Sequence, residues 1–270
     1  MKIVLLCSNK LNQIALANKI ANNFNLVGIV VEKPKKKKKR FSFVQIREKI
    51  WDRTIFYSIR KAWNEMQAYY KTNYPDFPQT DKTEVVRINS SETIEFIEKK
   101  SPDLLMISGT SIVRNEILNL PIPKGIINLH TGLSPYIKGG PNCTNWCIAK
   151  NKFHLIGNTI MWIDAGIDSG NIIAAEQTIL NGNESLSDLH IKVMEHAHDL
   201  YCRAATKIEK DFKNCSNVGQ SSIANGTIYY SKDWNWKNKL SLMRNFGKMK
   251  NTIVSKKYRE DFQKTKIINL

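Results

Sequence analysis

The sequence has no long apolar run, only five cysteines and no glycine-rich dinucleotide loop. Because no run of about 18 apolar residues occurs, the sequence predicts no transmembrane helix. The cysteines are odd in number and scattered, which argues against a disulfide framework and indicates a reducing cytoplasm. The first apolar strand leads into Ser8-Asn9-Lys10 instead of Gly-x-Gly-x-x-Gly, so the fingerprint of a nicotinamide enzyme is missing.

Acidic residues are scarce beside basic ones, with 24 Asp and Glu against 41 Lys and Arg and a formal net charge of +17. Three interpretations compete. A nucleic-acid-binding protein would use the charge to displace counterions, and an enzyme with polyanionic substrates would use it for steering. A general bias toward lysine would give the charge no role. The block from Lys35 to Lys39, followed by Arg40, is predicted to be a solvated loop.

Apolar strands alternate with helical patterns through most of the chain, which predicts an α/β fold. Lys2 to Cys7 is an apolar strand, Leu11 to Phe24 has apolar residues at helical spacing, and Leu26 to Val31 is a second strand. The alternation resumes after residue 80 and ends with a long helix from Ser185 to Phe212. Such crossovers predict a doubly wound, mostly parallel sheet, with residues 1–212 as the main domain.

Two segments stand apart from this alternation. Residues 33–80 are rich in aromatic and basic residues, and we predict an insertion of two helices there. Its aromatic stripe either stacks bases or, as is more usual for such stripes, forms core or subunit contacts. Residues 213–270 begin with a polar linker, and Thr227 to Tyr230 is a candidate strand. Lys and Arg dominate the remainder, which predicts a short basic C-terminal extension.

A carboxamide and an imidazole meet at the end of one predicted strand. The apolar run Gly125 to Ile127 leads into Asn128 and His130, and strand residues two positions apart share a face. A second apolar strand, Thr159 to Ile163, leads into a loop that contains Asp168-Ser169-Gly170. Open α/β sheets bind ligands where strands end, so these side chains are candidates for one active site.

In this order, the motifs resemble those of the folate-dependent formyltransferases. The family pattern is Asn-x-His, then a Leu-Pro loop with a later glycine, then Asp-x-Gly further along the chain. Here it reads Asn128, His130, the Leu133-Ser134-Pro135 loop and Asp168-Ser169-Gly170, with Gly132 where the family loop usually begins with serine. The likeness covers residues 1–212 and implies a Rossmann-like formyltransferase fold with a short C-terminal appendage.

The resemblance implies transfer of a formyl group from 10-formyltetrahydrofolate to an amine. It assigns Asn128 as a hydrogen-bond donor to the oxygen of the tetrahedral intermediate. It assigns Asp168 as the essential carboxylate that acts on His130, directly or through a water. His130 either donates to the same oxygen or moves the proton. Asp164 is the competing carboxylate and is expected in the folate-binding loop.

The resemblance also implies where the two substrates bind. The folate is expected between the loops after two strands, at Ser108, Gly109, Thr110, Ile163, Asp164, Ala165 and Gly166. The amine acceptor is expected beside the catalytic residues and after the first strand, at Ser8, Asn9, Lys10, Lys138, Gly139, Gly140 and Asn142. No metal site is expected, because His198 and Cys202 share a helix face without enough further ligands.

Elimination favours an amino sugar on a nucleotide carrier, a precursor of cell-surface polysaccharide, as the acceptor. Residues 213–270 are too few for the C-terminal β-barrel of methionyl-tRNA formyltransferases, and the first loop lacks the phosphate-binding glycines of glycinamide ribonucleotide transformylase. We therefore expect a cytoplasmic enzyme with a small-molecule partner, without nucleic-acid or membrane partners, and compatible with a homodimer. The alternatives are formylation of aminoacyl-tRNA, a formyl hydrolase, and a catalytically inert RNA-binding relative.

Overall fold

The structure is a computed structural model that describes residues 1–35, 43–140, 142–166 and 168–270. Its strands are β1 (Lys2–Ser8), β2 (Asn25–Glu32), β3 (Lys82–Val85), β4 (Leu104–Ser108), β5 (Ile126–His130), β6 (Ile137–Gly139), β7 (Gly157–Trp162), β8 (Ile172–Gln177) and β9 (Thr227–Tyr229). Its helices are α1 (Leu11–Asn23), α2 (Phe43–Arg53), α3 (Tyr57–Asn73), α4 (Ser91–Lys100), α5 (Asn115–Leu118), α6 (Cys143–Ala149), α7 (Leu186–Asp211), α8 (Trp236–Phe246), α9 (Met249–Ile253) and α10 (Lys256–Lys264). The predicted alternation of strands and helices is confirmed.

Seven of the strands form one sheet in the order β3-β2-β1-β4-β5-β7-β8. The first five in this order run parallel, whereas β7 is antiparallel to β5 and β8 is antiparallel to β7. Ile3 and Leu5 of β1 pack with residues of α1 and α7, while Val4 and Leu6 belong to a separate buried cluster. Because alternate strand residues point to opposite faces, both faces of the sheet are covered. The predicted doubly wound, mostly parallel α/β fold is confirmed.

The parallel strands bring three polar loops to one edge of the sheet. Cys7 of β1 pairs with Ser108 of β4, and Ile107 of β4 pairs with Asn128 of β5. The residues that follow β1, β4 and β5 therefore emerge side by side at the carboxyl ends of adjacent strands, where open α/β sheets bind ligands.

Strand β7 reaches this edge from the opposite direction. Its register places Thr159 opposite His130 and Trp162 opposite Ile127, so the chain leaves β7 near the start of β5. The loop after β7 must turn back toward the carboxyl end of β5 to contact His130. Because β7 is antiparallel to β5, Asp168 can approach His130 only through this returning loop.

The segment 33–80 contains the two predicted helices, α2 and α3. Helix α3 lies on α1 and α7, and its Met66 and Tyr70 are fully buried. The hydroxyl of Tyr70 donates to Oε1 of Glu195 at 2.9 Å. The aromatic stripe of α3 thus contributes to the core. Most of the lysine block that we predicted as a solvated loop, residues 36–40, lies outside the described residues.

The C-terminal segment folds back onto the sheet. Strand β9 confirms the strand predicted near residue 227 and pairs in parallel with β6. Leu242, Met249 and Ile253 are buried in a cluster that includes α6, and Ile268 bridges to Ala175 of β8. The predicted appendage is therefore packed into the body of the protein. Across the described ranges, every helix is too short or too polar to span a bilayer.

Candidate active site

His130 ends strand β5 with an acceptor near each ring nitrogen. Its Nδ1 lies 3.3 Å from Oδ2 of Asp168, and its Nε2 lies 3.2 Å from the carbonyl oxygen of Ile137. The residue is buried, with 7% of its surface exposed. An imidazole with an acceptor at both nitrogens is best satisfied as the doubly protonated cation, because both N–H groups can then donate.

The pKa of His130 reflects a balance of opposing effects. Burial lowers it, because the charged ring loses its hydration. Cys143, the carboxylate of Asp168 and the carbonyl of Ile137 outweigh burial and raise the pKa from 6.5 to about 9. This direction and the acceptors at both ring nitrogens favour the cationic form of His130. It is better suited to stabilising a developing negative charge than to accepting the first proton.

The carboxylate of Asp168 is held from several sides. Its Oδ2 also accepts a hydrogen bond from the backbone N–H of Gly139 at 3.1 Å. The backbone of Asp168 is left-handed, with φ at +48°, and such strain is often found at functional residues. Nε2 of Gln220 donates to the carbonyl oxygens of Asp168 and Gly170, each at 2.8 Å. Within the described part of the chain, Oδ1 has no hydrogen-bond partner, so one oxygen is left for a substrate.

Asp164 shapes the loop and does not contact His130. Its Oδ1 accepts hydrogen bonds from the backbone N–H of Gly166 at 3.0 Å and from the hydroxyl of Ser169 at 2.7 Å. Aspartate commonly stabilises a turn in this way, by bonding to the backbone two residues on. The carboxylate beside the imidazole is thus that of Asp168, in agreement with the resemblance.

Asn128 lies two residues before His130 and therefore on the same face of β5. Its side chain is half-buried and lines the cleft beside the imidazole. Among the residues that the structure describes, this side chain has no hydrogen-bond partner. The carboxamide can therefore donate to a bound oxygen without breaking an internal hydrogen bond.

Cys143 is a neighbour of His130 that the sequence did not indicate. Its Sγ lies 3.6 Å from Nε2 of His130 and 3.5 Å from the carbonyl oxygen of Gly139, to which it donates. Gly132 makes room for this contact, because a Cβ there would press on the imidazole and lie 2.9 Å from Sγ of Cys143. The glycine that departs from the usual family loop thus accompanies a buried thiol beside the imidazole. From the sequence, Cys143 is indistinguishable from an apolar helix residue.

Asn128, His130, Asp164 and Asp168 line one cleft of about 630 Å³, a volume within the rough range of 300–1,000 Å³ typical of small-molecule sites. The predicted folate residues in its lining are Ser108, Gly109, Thr110, Ile163, Asp164 and Gly166. Ala165 is exposed and does not line the cleft. The loops after β4 and β7 therefore form one cavity together with Asn128 and His130.

The predicted acceptor residues are only partly brought together. Those in the cleft lining are Lys10, Gly139, Gly140 and Asn142. The hydroxyl of Ser8 is buried at the end of β1, and Asn9 is exposed. Lys138 lies on the other face of β6 from Gly139, because successive strand residues alternate. The side chain of Asn142 is occupied as the N-cap of α6, where it accepts a backbone hydrogen bond at 3.0 Å.

Two walls of the cleft come from segments 33–80 and 213–270, which lie outside the regular alternation of strands and helices. Helix α3 contributes Trp63 and Met66, and the chain around β9 contributes Tyr229 and Tyr230. Tyr229 stacks on Trp146 of α6, with ring centroids 4.5 Å apart and planes 21° from parallel. Helical packing and the pairing of β9 with β6 bring these rings to the site. Neither interaction leaves a local sequence pattern that could have identified them.

His130, Asp168 and Cys143 meet in this site through hydrogen-bonding contacts. Among the described residues, no group of three or more His, Cys, Asp or Glu side chains is arranged to hold a metal ion. His198 is fully buried, and its ring packs against that of Tyr70 at a centroid distance of 5.9 Å. All five cysteines are free thiols.

The chain is matched over residues 1–205 by the family model described as Formyl transferase. The methionyl-tRNA formyltransferase of Clostridium tetani is 33% identical over 121 residues, which amount to 44% of this chain and 38% of that protein. The chain thus spans well under half the length of this curated relative.

Two solved structures are similar in fold. A sugar N-formyltransferase from Shewanella matches with a TM-score of 0.57 at 16% identity, covering 91% of this chain and 88% of that one. An N-formyltransferase from Helicobacter canadensis, in complex with folinic acid and dTDP-3-aminofucose, matches with a TM-score of 0.52 at 17% identity, covering 91% and 81%. At these identities the likeness is one of fold.

Proposed function

This chain belongs to the formyl transferase family, and we propose that it transfers a formyl group from 10-formyltetrahydrofolate to an amine. The observation that carries the proposal is the 3.3 Å contact between Nδ1 of His130 and Oδ2 of Asp168, in the cleft that the carboxamide of Asn128 also lines. A cation, a neutral donor and a carboxylate face one cleft. Acyl transfer to an amine needs charge stabilisation and proton movement, and these three groups provide both.

Asn128 and His130 stabilise the charge that develops on the formyl oxygen. The amine nitrogen attacks the formyl carbon, and the carbonyl electron pair moves onto the oxygen. The Nδ2–H of Asn128 donates to this oxygen, and the imidazolium of His130 places a positive charge beside it. In acyl transfer, one preorganised donor of this kind is worth about 2.7–4 kcal/mol.

Asp168 moves the proton that the attacking amine must lose. Its Oδ2 remains with His130 and Gly139, while Oδ1 accepts the proton directly or through a water. The proton then passes to the leaving nitrogen of the folate as the carbon–nitrogen bond breaks. Because the imidazolium stays next to the carboxylate, the same pair of residues serves both steps.

The residues that would hold the folate come from the loops after β4 and β7. Residues 108–110, Asp164 and Gly166 offer small side chains and backbone groups, which suit a flat heterocycle. Asp164 already fixes the second loop through its bonds to Gly166 and Ser169. The folate supplies the formyl carbon when it binds. The opening between the two loops leads to Asn128 and His130, where that carbon must lie.

A tetrahydrofolate analogue is expected to bind and to raise the Tm. At a concentration of 100 times the Kd, binding stabilises the folded state by about 2.7 kcal/mol. Calorimetry and thermal denaturation measure the heat and the shift. The variant Asp164→Ala should weaken binding because the loop loses both internal hydrogen bonds, whereas Asp76→Ala, in an exposed turn, should not. Neither heat nor a shift with the wild-type chain would rule out the pocket.

Gln220 is expected to act through Asp168. The variant Gln220→Ala loses both hydrogen bonds to the loop, each worth about 0.5–1.5 kcal/mol, and should lower kcat about tenfold because the carboxylate is less well positioned. The variant Ser222→Ala lies in the same turn but loses only a bond to Gly219, so its kcat should match the wild type. Equal kcat values for the two variants would contradict this role.

We propose that the acceptor is the amino group of a nucleotide-linked amino sugar. Tyr230 lines the cleft and is 47% exposed, and a base stacked on such a ring gains about 1–3 kcal/mol. Lys10, at the N-cap of α1, supplies a cation next to a helix N-terminus, where phosphate groups are favoured. The complex of the Helicobacter relative with dTDP-3-aminofucose supports this assignment.

Formylation of aminoacyl-tRNA is the second candidate. It is favoured by the 33% identity to a methionyl-tRNA formyltransferase over 121 residues. The formal net charge of +17 also suits a polyanionic acceptor. An RNA acceptor would require most contacts to lie outside the cleft, on the basic surface.

A single assay with formyl donor distinguishes these activities. The wild-type chain is incubated with a panel of nucleotide-linked amino sugars, with methionyl-tRNA, and with no acceptor, and products are identified by the mass of one formyl group. Formylated sugar is the expected result. Formylation of tRNA alone would establish the second candidate, and formate without an acceptor would indicate a hydrolase. Salt-sensitive RNA binding without any turnover would indicate an inert relative.

A further inference from the structure

His190 is a buried imidazole in the wall of the cleft that has no hydrogen-bond partner in the described part of the chain. It lies on α7, is 4% exposed and lines the cleft. Its Nε2 is buried without a hydrogen bond, and among the described residues no partner for its Nδ1 occurs either. Burial lowers the pKa of His190 to about 4, so the ring is neutral at neutral pH. Buried polar groups are nearly always paired, so this one calls for an explanation.

The wall around His190 combines apolar side chains with one carboxamide and one cation. Asn12 also lines the cleft, and its Nδ2 donates to Sδ of Met194 at 3.6 Å. Trp63 of α3 meets the imidazole edge-on, with centroids 6.1 Å apart and planes at 78°. Met66 and Met194 belong to the same wall. The Nζ of Lys10 lies 6.0 Å from the centroid of the Trp63 ring. Such a wall has an aromatic surface, neutral hydrogen-bonding groups and one positive charge.

This combination matches one part of the proposed acceptor. A sugar ring offers C–H faces to an aromatic surface and hydroxyl groups to a neutral donor or acceptor, and the phosphate that links it to a nucleotide carries negative charge. Small-molecule sites are typically built in this way, with apolar walls and a few convergent polar groups. The folate loops lie on strands β4 and β7, so this wall is not needed for the donor.

We propose that Trp63 and His190 form the sugar subsite, in which the indole packs against the ring of the acceptor and the imidazole hydrogen-bonds one of its hydroxyl groups. This inference rests on the proposed function, because it assumes a nucleotide-linked amino sugar. It gives the insertion of α2 and α3 a role in acceptor recognition. His190 does not contact the reacting atoms and acts as a specificity-determining residue.

The first test is the variant His190→Leu, with kinetics and Tm measured on the full chain. The KM for the acceptor should rise about tenfold, the worth of one hydrogen bond, with kcat and the KM for the folate little changed. The Tm should not fall, because leucine removes a polar group that has no hydrogen-bond partner among the described residues. The variant His190→Gln, which keeps a donor and an acceptor, should recover part of the lost affinity. A lower Tm with unchanged KM would show a structural role and overturn the proposal.

The second test is the variant Trp63→Ala, with Tyr57→Ala as its matched control on the same helix. Tyr57 is 52% exposed and does not line the cleft. The acceptor KM should rise at least tenfold in Trp63→Ala and stay at the wild-type value in Tyr57→Ala, while a tetrahydrofolate analogue binds all three chains equally. Equal loss of folate and acceptor affinity in Trp63→Ala would contradict the subsite.

The outcomes separate this inference from the function on which it rests. If the wild-type chain formylates no nucleotide-linked amino sugar, the proposed function fails and the subsite with it. If the wild-type chain turns such an acceptor over and both variants keep its KM, the subsite alone is wrong.

Discussion

Replacing Asn128 with alanine is expected to lower kcat about 10²- to 10³-fold, the range found when one oxyanion donor is removed from an acyl-transfer site. The carboxamide has no partner among the described residues, so its loss breaks no internal hydrogen bond, and the fold should be unaffected. Because the donor acts on charge that exists only in the transition state, kcat and kcat/KM should fall together. Steady-state formylation with both substrates varied, together with the Tm, provides the measurement.

The variant Asn73→Ala is a suitable control, since Asn73 is an exposed asparagine at the end of α3 whose side chain bonds only to its own helix. It should keep the wild-type kcat. A higher acceptor KM in Asn128→Ala with an unchanged kcat would assign Asn128 to binding and would contradict its role in charge stabilisation. A large drop in Tm would show instead that the side chain supports the fold.

The sequence was sufficient to bring the proposed catalytic residues together at one sheet edge because they lie in short local patterns. Asn128 and His130 share a face through the two-residue period of a strand, and an apolar run marks that strand as buried. Asp168 was distinguished from Asp164 by the Ser-Gly that follows it. The sheet was predictable for a similar reason, since alternation of strand and helix restricts the connections that are possible.

The remaining parts of the site depend on contacts between distant segments. The antiparallel direction of β7 requires its loop to turn back, and this brings Gly139 and Gln220 to Asp168. Cys143 reaches His130 because α6 contacts β6, whose Ile137 also faces the imidazole. Trp63 lies in the cleft through packing of α3 on α1 and α7. None of these arrangements has a period or spacing that a sequence could reveal.

The packing of the C-terminal segment also depends on contacts with distant parts of the chain. Its composition is basic and polar, so the sequence indicated a short extension outside the domain. In the structure, Leu242 and Met249 are buried among residues of α6, while most of the lysines of α8, α9 and α10 remain exposed. Long charged side chains can cover apolar surface with their stems while their charges stay in water. Composition alone therefore underestimates how much of such a segment is packed.

The variant Asp168→Asn is expected to show the second large effect, a fall in kcat of about 10²- to 10⁴-fold, the contribution of a positioned general base. Asparagine can still accept the hydrogen bond from Gly139, so the loop should keep its shape. It cannot take the proton of the amine, and it removes the negative charge 3.3 Å from Nδ1 of His130. Both changes act on the chemical step and should leave the folate affinity intact.

The ion pair between His130 and Asp168 should also determine how the activity of the wild-type chain depends on pH. The pKa of His130 is raised from 6.5 to about 9, so the cation is present below that value and is lost as the pH rises through it. The activity of the wild-type chain should therefore decline above a pH of about 9. The stability that the His130–Asp168 pair contributes is fully present below 6.5, the pKa of histidine in the unfolded chain, and is lost as the pH rises through about 9. In Asp168→Asn the carboxylate no longer opposes the effect of burial, and the declining limb should move to lower pH.

A pH–rate profile of kcat/KM for both chains, together with NMR titration of the His130 ring, measures this displacement. The variant Asp164→Asn is the matched control, because that carboxylate bonds only to its own loop. It should weaken folate binding and leave the alkaline limb in place. An alkaline limb at the same pH in Asp168→Asn as in the wild type would show that the carboxylate does not set the charge of His130. The charge of His130 would then have to be set by Cys143 and the carbonyl of Ile137, the other groups that raise its pKa.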